Sequence, residues 1–445
     1  VACGSDEEPE KDEPSGWKPG VVFPTERVPG SRGFLDRRGL IHAHSVYSHD
    51  ACDGEPRDEN DQINLPCLDD FRSGVCATQH DFVMLTDHSE SFARSEYPDV
   101  LLYDASRNDA LLERNGQPVA NRLACPEADS TLILAGTETS VMPVGLEAHV
   151  GATEAERKAV YDSTAPVDIE QLKAAGAVFL VQHTEEWTAD QLSTLPIDGF
   201  EMYNLHANTE LGAGAVLELL FNMEQPELLP LSDLVYVPLV SEDPRYVDTW
   251  SQVLASGVKR VTTMGTDCHR NTFPALLPDG ERVDSYRRMM SWFSNHLLVQ
   301  PDAGGTFDDL ALKDALRAGR LFGVFEVFGF PQGFDFHAES STGIREMGDE
   351  VPLSDAPVLS VTAPVVQGGA SPEPEVRIVI VRATSTTWSL VAEGSESVNH
   401  TPTEAGAYRA EVRIRPRHLK KYLSSYAHLA DEEFVWIYAN PIYVF

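Results

Sequence analysis

Short apolar runs that end in metal-binding side chains recur along the chain. Five stand out: Gly39-Leu40-Ile41-His42-Ala43-His44, Phe82-Val83-Met84-Leu85-Thr86-Asp87-His88, Leu132-Ile133-Leu134-Ala135-Gly136-Thr137-Glu138, Val178-Phe179-Leu180-Val181-Gln182-His183 and Val261-Thr262-Thr263-Met264-Gly265-Thr266-Asp267-Cys268-His269. Each has the length of a buried strand. Helical spacing is predicted over 68–77, 100–113, 153–161, 169–174, from 188, and over 211–223, 248–255, 282–293 and 310–318. Asn115-Gly116, Gly176 and Gly257 read as helix stops. Two further apolar strands fall at 296–299 and 321–325. Strands alternating with helices over ~290 residues predict a parallel α/β barrel, whose site lies at the C-terminal strand ends.

From residue 331 the pattern changes. Alternating strands are predicted at 358–362, 375–382, 388–392, 407–413 and 434–438, with turns rich in Gly, Pro and Ser and a single helix at 417–426. This predicts three parts: a lead-in over 1–33, a barrel over 34–330 and a smaller all-β sandwich over 331–445.

Composition narrows the class. The chain has 445 residues, 42% of them hydrophobic, and a formal net charge of -36. Such a surface repels phosphate backbones, so nucleic acid is not an expected partner. No stretch approaches the ~20 apolar residues of a spanning helix. Val1-Ala2-Cys3-Gly4-Ser5 looks like the end of a bacterial lipoprotein signal, followed by an acidic tether over 6–13. The expectation is an exported periplasmic or cell-surface protein whose membrane contact is a lipid on Cys3. Cys268, between two ligand candidates, reads as a small buried residue. Cys52, Cys67, Cys76 and Cys125 read as two disulfides in an exported protein, or as four thiols in a cytosolic one. If 66–79 is helical, Cys67 and Cys76 stand roughly 13 Å apart and cannot pair with each other.

His42 and His44 are two apart, which on a strand puts both imidazoles on one face. Taken alone, such a pair is as often a surface or packing feature. The full series carries more. His42-Ala-His44-Ser-Val-Tyr-Ser48-His49-Asp50, Thr86-Asp87-His88, Gly136-Thr-Glu138, His149, His183 and Asp267-Cys-His269 together resemble the PHP (polymerase and histidinol phosphatase) superfamily over about 39–328. The end of the chain, Tyr438-Ala439-Asn440-Pro441-Ile442-Tyr443-Val444, resembles exported members with a β-rich tail.

The resemblance implies a distorted seven-stranded TIM-like barrel holding up to three metal ions. The implied ligands are His42, His44, His88, Glu138, His149, His183, Asp267 and His269, with either Asp50 or His49 at the ninth position. Asp87 is expected to orient a ligand. Imidazole with carboxylate suits zinc, manganese or iron. Glu138 is the natural bridging ligand, and Glu138, Asp267 and His269 are the candidates closest to the chemistry. The reaction class is metal-assisted hydrolysis of a small-molecule phosphate ester. Arg270, Asn204 and His206 are weaker candidates for substrate contact, each equally readable as a solvated or loop-capping side chain. Two other functions fit the same residues: hydrolysis of a non-phosphate ester, lactone or amide, and metal or partner binding without catalysis. His80, His296, His337, His400, His418 and His428 fit no cluster.

Overall fold

The structure, a computed structural model, describes residues 16–25, 30–205, 207–208 and 212–445. Cys3, the acidic tether and His206 lie outside the described residues. The class is mixed α/β, with one large mixed sheet and two smaller ones.

Twelve strands precede residue 330: β1 (Leu35–Ala43), β2 (Phe82–Leu85), β3 (Asp87–His88), β4 (Ala110–Arg114), β5 (Gln117–Leu123), β6 (Thr131–Glu138), β7 (Met142–Leu146), β8 (Val178–Val181), β9 (Gly199–Asn204), β10 (Val261–Gly265), β11 (Ser294–Val299) and β12 (Leu321–Val324). β1 pairs with β2 and β2 with β6, both parallel. β7 then pairs antiparallel with β6 and β8, and β8–β9 and β9–β10 are parallel again. Beyond β10, Cys268 bridges back to Ala43 at the end of β1. The all-parallel expectation thus fails at β7, and again where β11 runs antiparallel to β1.

Alternation explains the packing. Ile41, Phe82, Met84, Leu132, Leu134, Val178 and Leu180 share one apolar cluster. Leu40, Val83, Leu85 and Ile133, their neighbours in sequence, join another. Strands apolar on both faces are covered on both faces.

The predicted helix over 100–113 is instead two short turns followed by the β4–β5 hairpin. Asn115 and Gly116 both have positive φ, 53° and 75°. That is the geometry a two-residue hairpin turn requires, so Asn-Gly marks a hairpin here and not a helix stop. The helix expected over 282–293 is confined to Tyr286–Met290, and 417–426 is 3₁₀ rather than α.

The sheet continues past residue 330, because β12 pairs antiparallel with the strand Phe434–Ala439. Arg409 stitches the two sides together. It is fully buried, its guanidinium lies 4.3 Å from the Trp250 ring and 4.2 Å from the Trp388 ring, and Nη2 meets Glu411 at 2.5 Å. Removing one partner of a buried pair leaves the other charge poorly compensated. Arg409→Ala is therefore expected to cost about 3–5 kcal/mol in denaturant unfolding.

Trp17 packs edge-on against His418 at 5.5 Å, and the His418 Nε2 meets the Phe328 carbonyl at 2.9 Å. Burial pushes the His418 pKa down to about 4. The folded chain thus refuses a proton that the unfolded chain takes up below about 6.5. Its contribution is complete above that value and is lost as pH falls towards 4. In His418→Gln, the stability difference between pH 7 and pH 4.5 is expected to shrink by on the order of 2 kcal/mol. Urea unfolding of both proteins at the two pH values checks this.

Candidate metal centre

The site gathers at the C-terminal ends of β1, β3, β6, β8 and β10. The end of β1 is irregular: its register with β2 shifts between Ile41 and Ala43, and His42 has φ 83°. His42 and His44 converge through this bulge, not through plain alternation, with ring centroids 5.4 Å apart. His183, Asp267 and Arg270 also have positive φ, at 48°, 52° and 57°. Backbone strain of this kind persists where the surroundings over-determine the geometry, and it concentrates at functional sites.

Two groups of donor atoms emerge, each within 4.8 Å mutual distance: His42, His44, Glu138 and Asp267; and His44, Asp50, His88 and His269. His44 belongs to both. In the first group, Glu138 Oε2 lies 2.5 Å from His42 Nε2 and 2.8 Å from His44 Nε2, and Asp267 Oδ1 lies 3.2 Å from each. In the second, Asp50 Oδ2 lies 3.2 Å from His88 Nε2 and 3.0 Å from His269 Nε2. The His44 and His269 rings stack at 3.9 Å. Donors of an ion bound at about 2.0–2.1 Å in a tetrahedron stand roughly 3.3 Å apart. The spacing and the imidazole–carboxylate chemistry therefore fit a divalent metal.

His183 stands beside the first group, with Nε2 at 3.4 Å from both Glu138 Oε1 and Asp267 Oδ2. Its Nδ1 is held by Glu185 at 3.2 Å, and the Tyr246 hydroxyl donates to the same carboxylate. Of the alternatives at the ninth position, Asp50 enters a group and His49 does not. His49 is exposed and faces Glu90 at 3.6 Å.

The electrostatics follow from burial against neighbours. For His42, burial pulls the pKa down, but Glu138, Glu201 and Asp267 outweigh it and hold the ring well above the usual histidine range. His44 loses stability as a cation through burial, yet Asp267 and Glu138 raise it to about 10. His183 reaches about 12 by the same balance. Burial would raise Asp50 and Glu138, but the facing imidazoles hold both well below the usual carboxylate range. Protons on the rings thus balance the carboxylates, the role that cations take over when metal displaces them.

Four expected residues play other parts. His149 is not brought to either group: its Nδ1 meets the Tyr161 hydroxyl and its Nε2 the Ser95 carbonyl, both at 2.7 Å, with Phe92 and Tyr97 packed on the ring. Asp87 accepts from the Ser45 backbone at 2.6 Å and hydroxyl at 2.8 Å, so it fixes the turn after His44 rather than a ligand directly. Asn204 is fully buried and does not line a mouth: it donates to Glu201 at 3.0 Å and accepts from the Ala207 backbone. Arg270 pairs with Asp70 at 3.1 Å.

Sequence reasoning missed Glu201. Its Oε1 lies 2.8 Å from His42 Nδ1, and it is fully buried. A carboxylate on the far nitrogen orients a ligand ring and sets which nitrogen faces the ion. The available signal was a lone charge inside the apolar strand Gly199-Phe200-Glu201-Met202-Tyr203-Asn204. Gly265 makes room for this pair, because a Cβ there would overlap Glu201 Oε1 and come within 2.9 Å of His42 Nδ1. Ser48 was read as structural, and it does bridge ligands, at 3.2 Å from His44 Nδ1 and 2.8 Å from Asp50 Oδ1.

A cleft of about 730 Å³ opens at His183, lined also by Thr139, Gln182, Glu186, Trp187 and Arg245. Arg245 is already paired with Asp243 at 2.8 Å.

No protein-family model matches the chain, and no curated protein matches it. The residues themselves define a mixed α/β protein with side-chain groups able to hold a metal ion.

Proposed function

We propose that this protein is a metal-dependent hydrolase of phosphate esters, with up to three divalent ions held in a distorted barrel of the PHP type. The observation that carries the reading is the pair of four-residue groups joined at His44. The succession β1–β2–β6–β7–β8–β9–β10, with the Ala43–Cys268 bridge, supports a ring of seven strands. Zinc, manganese and iron all suit the donors.

When bound, such ions act as Lewis acids on phosphoryl oxygens and make water acidic enough to attack near neutral pH. The chain's own residues supply the rest. Glu201 and Glu185 aim His42 and His183. Ser48 holds His44 and Asp50 in register. Glu138 and Asp267, each facing more than one imidazole, are placed to span neighbouring ions. The cleft at His183 is the natural seat for the leaving group. Its carboxylates and its committed Arg245 favour a neutral or cationic leaving group over a polyanion such as nucleic acid.

The two disulfides support an exported protein. Among the described residues no helix is long and apolar enough to cross a membrane. Membrane attachment, if present, rests on Cys3.

The test is turnover of chromogenic phosphate mono- and diesters by metal-reconstituted protein beside His42→Ala. Turnover that disappears in the variant supports the reading. Turnover of carboxylic esters alone transfers it to a different scissile bond, and no turnover of any ester by metal-loaded protein sinks it.

A further inference from the structure

We infer that the Cys52–Cys67 disulfide is a positioning element for the Asp50, His88 and His269 metal position, and that its loss empties that position while leaving the His42, Glu138 and Asp267 position filled. The inference rests on the metal-centre reading above.

The two positions are anchored differently. His42 and Glu138 lie within paired strands, and Asp267 follows β10 directly with its amide bonded to the His42 carbonyl at 3.2 Å. Asp50 and His269 lie on loops outside the named strands. Those loops are laced to each other. The Cys52 amide donates to the His269 carbonyl at 3.1 Å and the Asp53 amide to the Arg270 carbonyl at 3.0 Å. Asn271 Nδ2 donates to the Asp50 carbonyl at 2.9 Å.

Mutual lacing fixes the loops to one another but not to the rest of the fold. The covalent tie does the latter. Cys52, two residues past Asp50, is bonded to Cys67 in the helix Leu65–Thr78. Both half-cystines are buried. The same helix packs Phe71 edge-on against Tyr286 at 4.9 Å, and the Tyr286 hydroxyl donates to the His269 carbonyl at 3.2 Å. Cys52 and Asp53 sit at φ 59° and 61°, a conformation non-glycine residues adopt at a cost. Released from the helix, this turn has reason to relax, and Asp50 moves with it. The second disulfide, Cys76–Cys125, ties the other end of the helix to the segment after β5 and touches neither ligand loop.

Zinc titration of the full chain by calorimetry, with stoichiometry by native mass spectrometry, tests this on wild type, Cys52→Ser/Cys67→Ser and Cys76→Ser/Cys125→Ser. Expected is one zinc equivalent weakened roughly tenfold or more in the first double variant, the size seen when ligand-supporting contacts are lost. The other equivalent stays as in wild type, and the Cys76→Ser/Cys125→Ser protein keeps both. Asn271→Ala, with both disulfides intact, is expected to weaken the same equivalent by a smaller factor. Unchanged binding in Cys52→Ser/Cys67→Ser, or equal loss in the two double variants, overturns the inference. Should Cys52→Ser/Cys67→Ser not fold, unchanged binding in Asn271→Ala overturns it. A wild type that binds no zinc overturns the metal-centre reading itself, a result distinct from all of these.

Discussion

His44→Ala is expected to lose metal from both positions at once and to abolish turnover. His44 is the one residue common to the two donor groups. Its Nε2 faces Glu138 at 2.8 Å and Asp267 at 3.2 Å, while its ring stacks on His269. Removing it withdraws a direct donor, so the loss should exceed the roughly 10–100-fold typical of residues that only support a ligand. It also leaves two buried carboxylates short of a partner, which raises the cost of keeping them ionised. Metal content by elemental analysis and turnover should fall together, with far-ultraviolet dichroism unchanged. A variant that keeps half the metal would show that the two groups act independently.

The second large effect belongs to a residue that touches no ion in the proposed centre. Glu201→Gln is expected to weaken the His42 position about 10–100-fold. The carboxylate accepts from His42 Nδ1, leaving Nε2 to face Glu138 and Asp267. An amide can present its NH₂ instead and oppose that tautomer. Gly265→Ala should give the same phenotype by a different route, since its new methyl group overlaps the Glu201 carboxylate. Metal titration of both variants checks this. Wild-type affinity in Glu201→Gln would make the residue a packing element only.

The ligand-bearing strand ends were legible because chemistry and pattern coincide there. A buried strand closing on His or Glu is conspicuous in one dimension, and Asp50, His88, Glu138, Asp267 and His269 could be picked out that way. His149 misled because it shares the residue type without the position: a Tyr161 hydroxyl and a Ser95 carbonyl, remote in sequence, claim its ring. Glu201 was hidden for the opposite reason. It lies in mid-strand, and its partner His42 is 159 residues away. The β4–β5 hairpin was misread because Leu and Ala at 110–113 satisfy helical spacing as well as alternation. The positive φ at Asn115 and Gly116 decides the case, and no spacing rule reports it. Antiparallel β7 is likewise a tertiary choice, since five residues of apolar sequence carry no direction.

The most direct test of the central claim is anomalous diffraction from crystals grown with zinc, recorded on both sides of the zinc edge. The account predicts one peak among His42, His44, Glu138 and Asp267 and a second among His44, Asp50, His88 and His269. Peaks confined to surface carboxylates, or none at all under conditions where zinc is in excess, would contradict it.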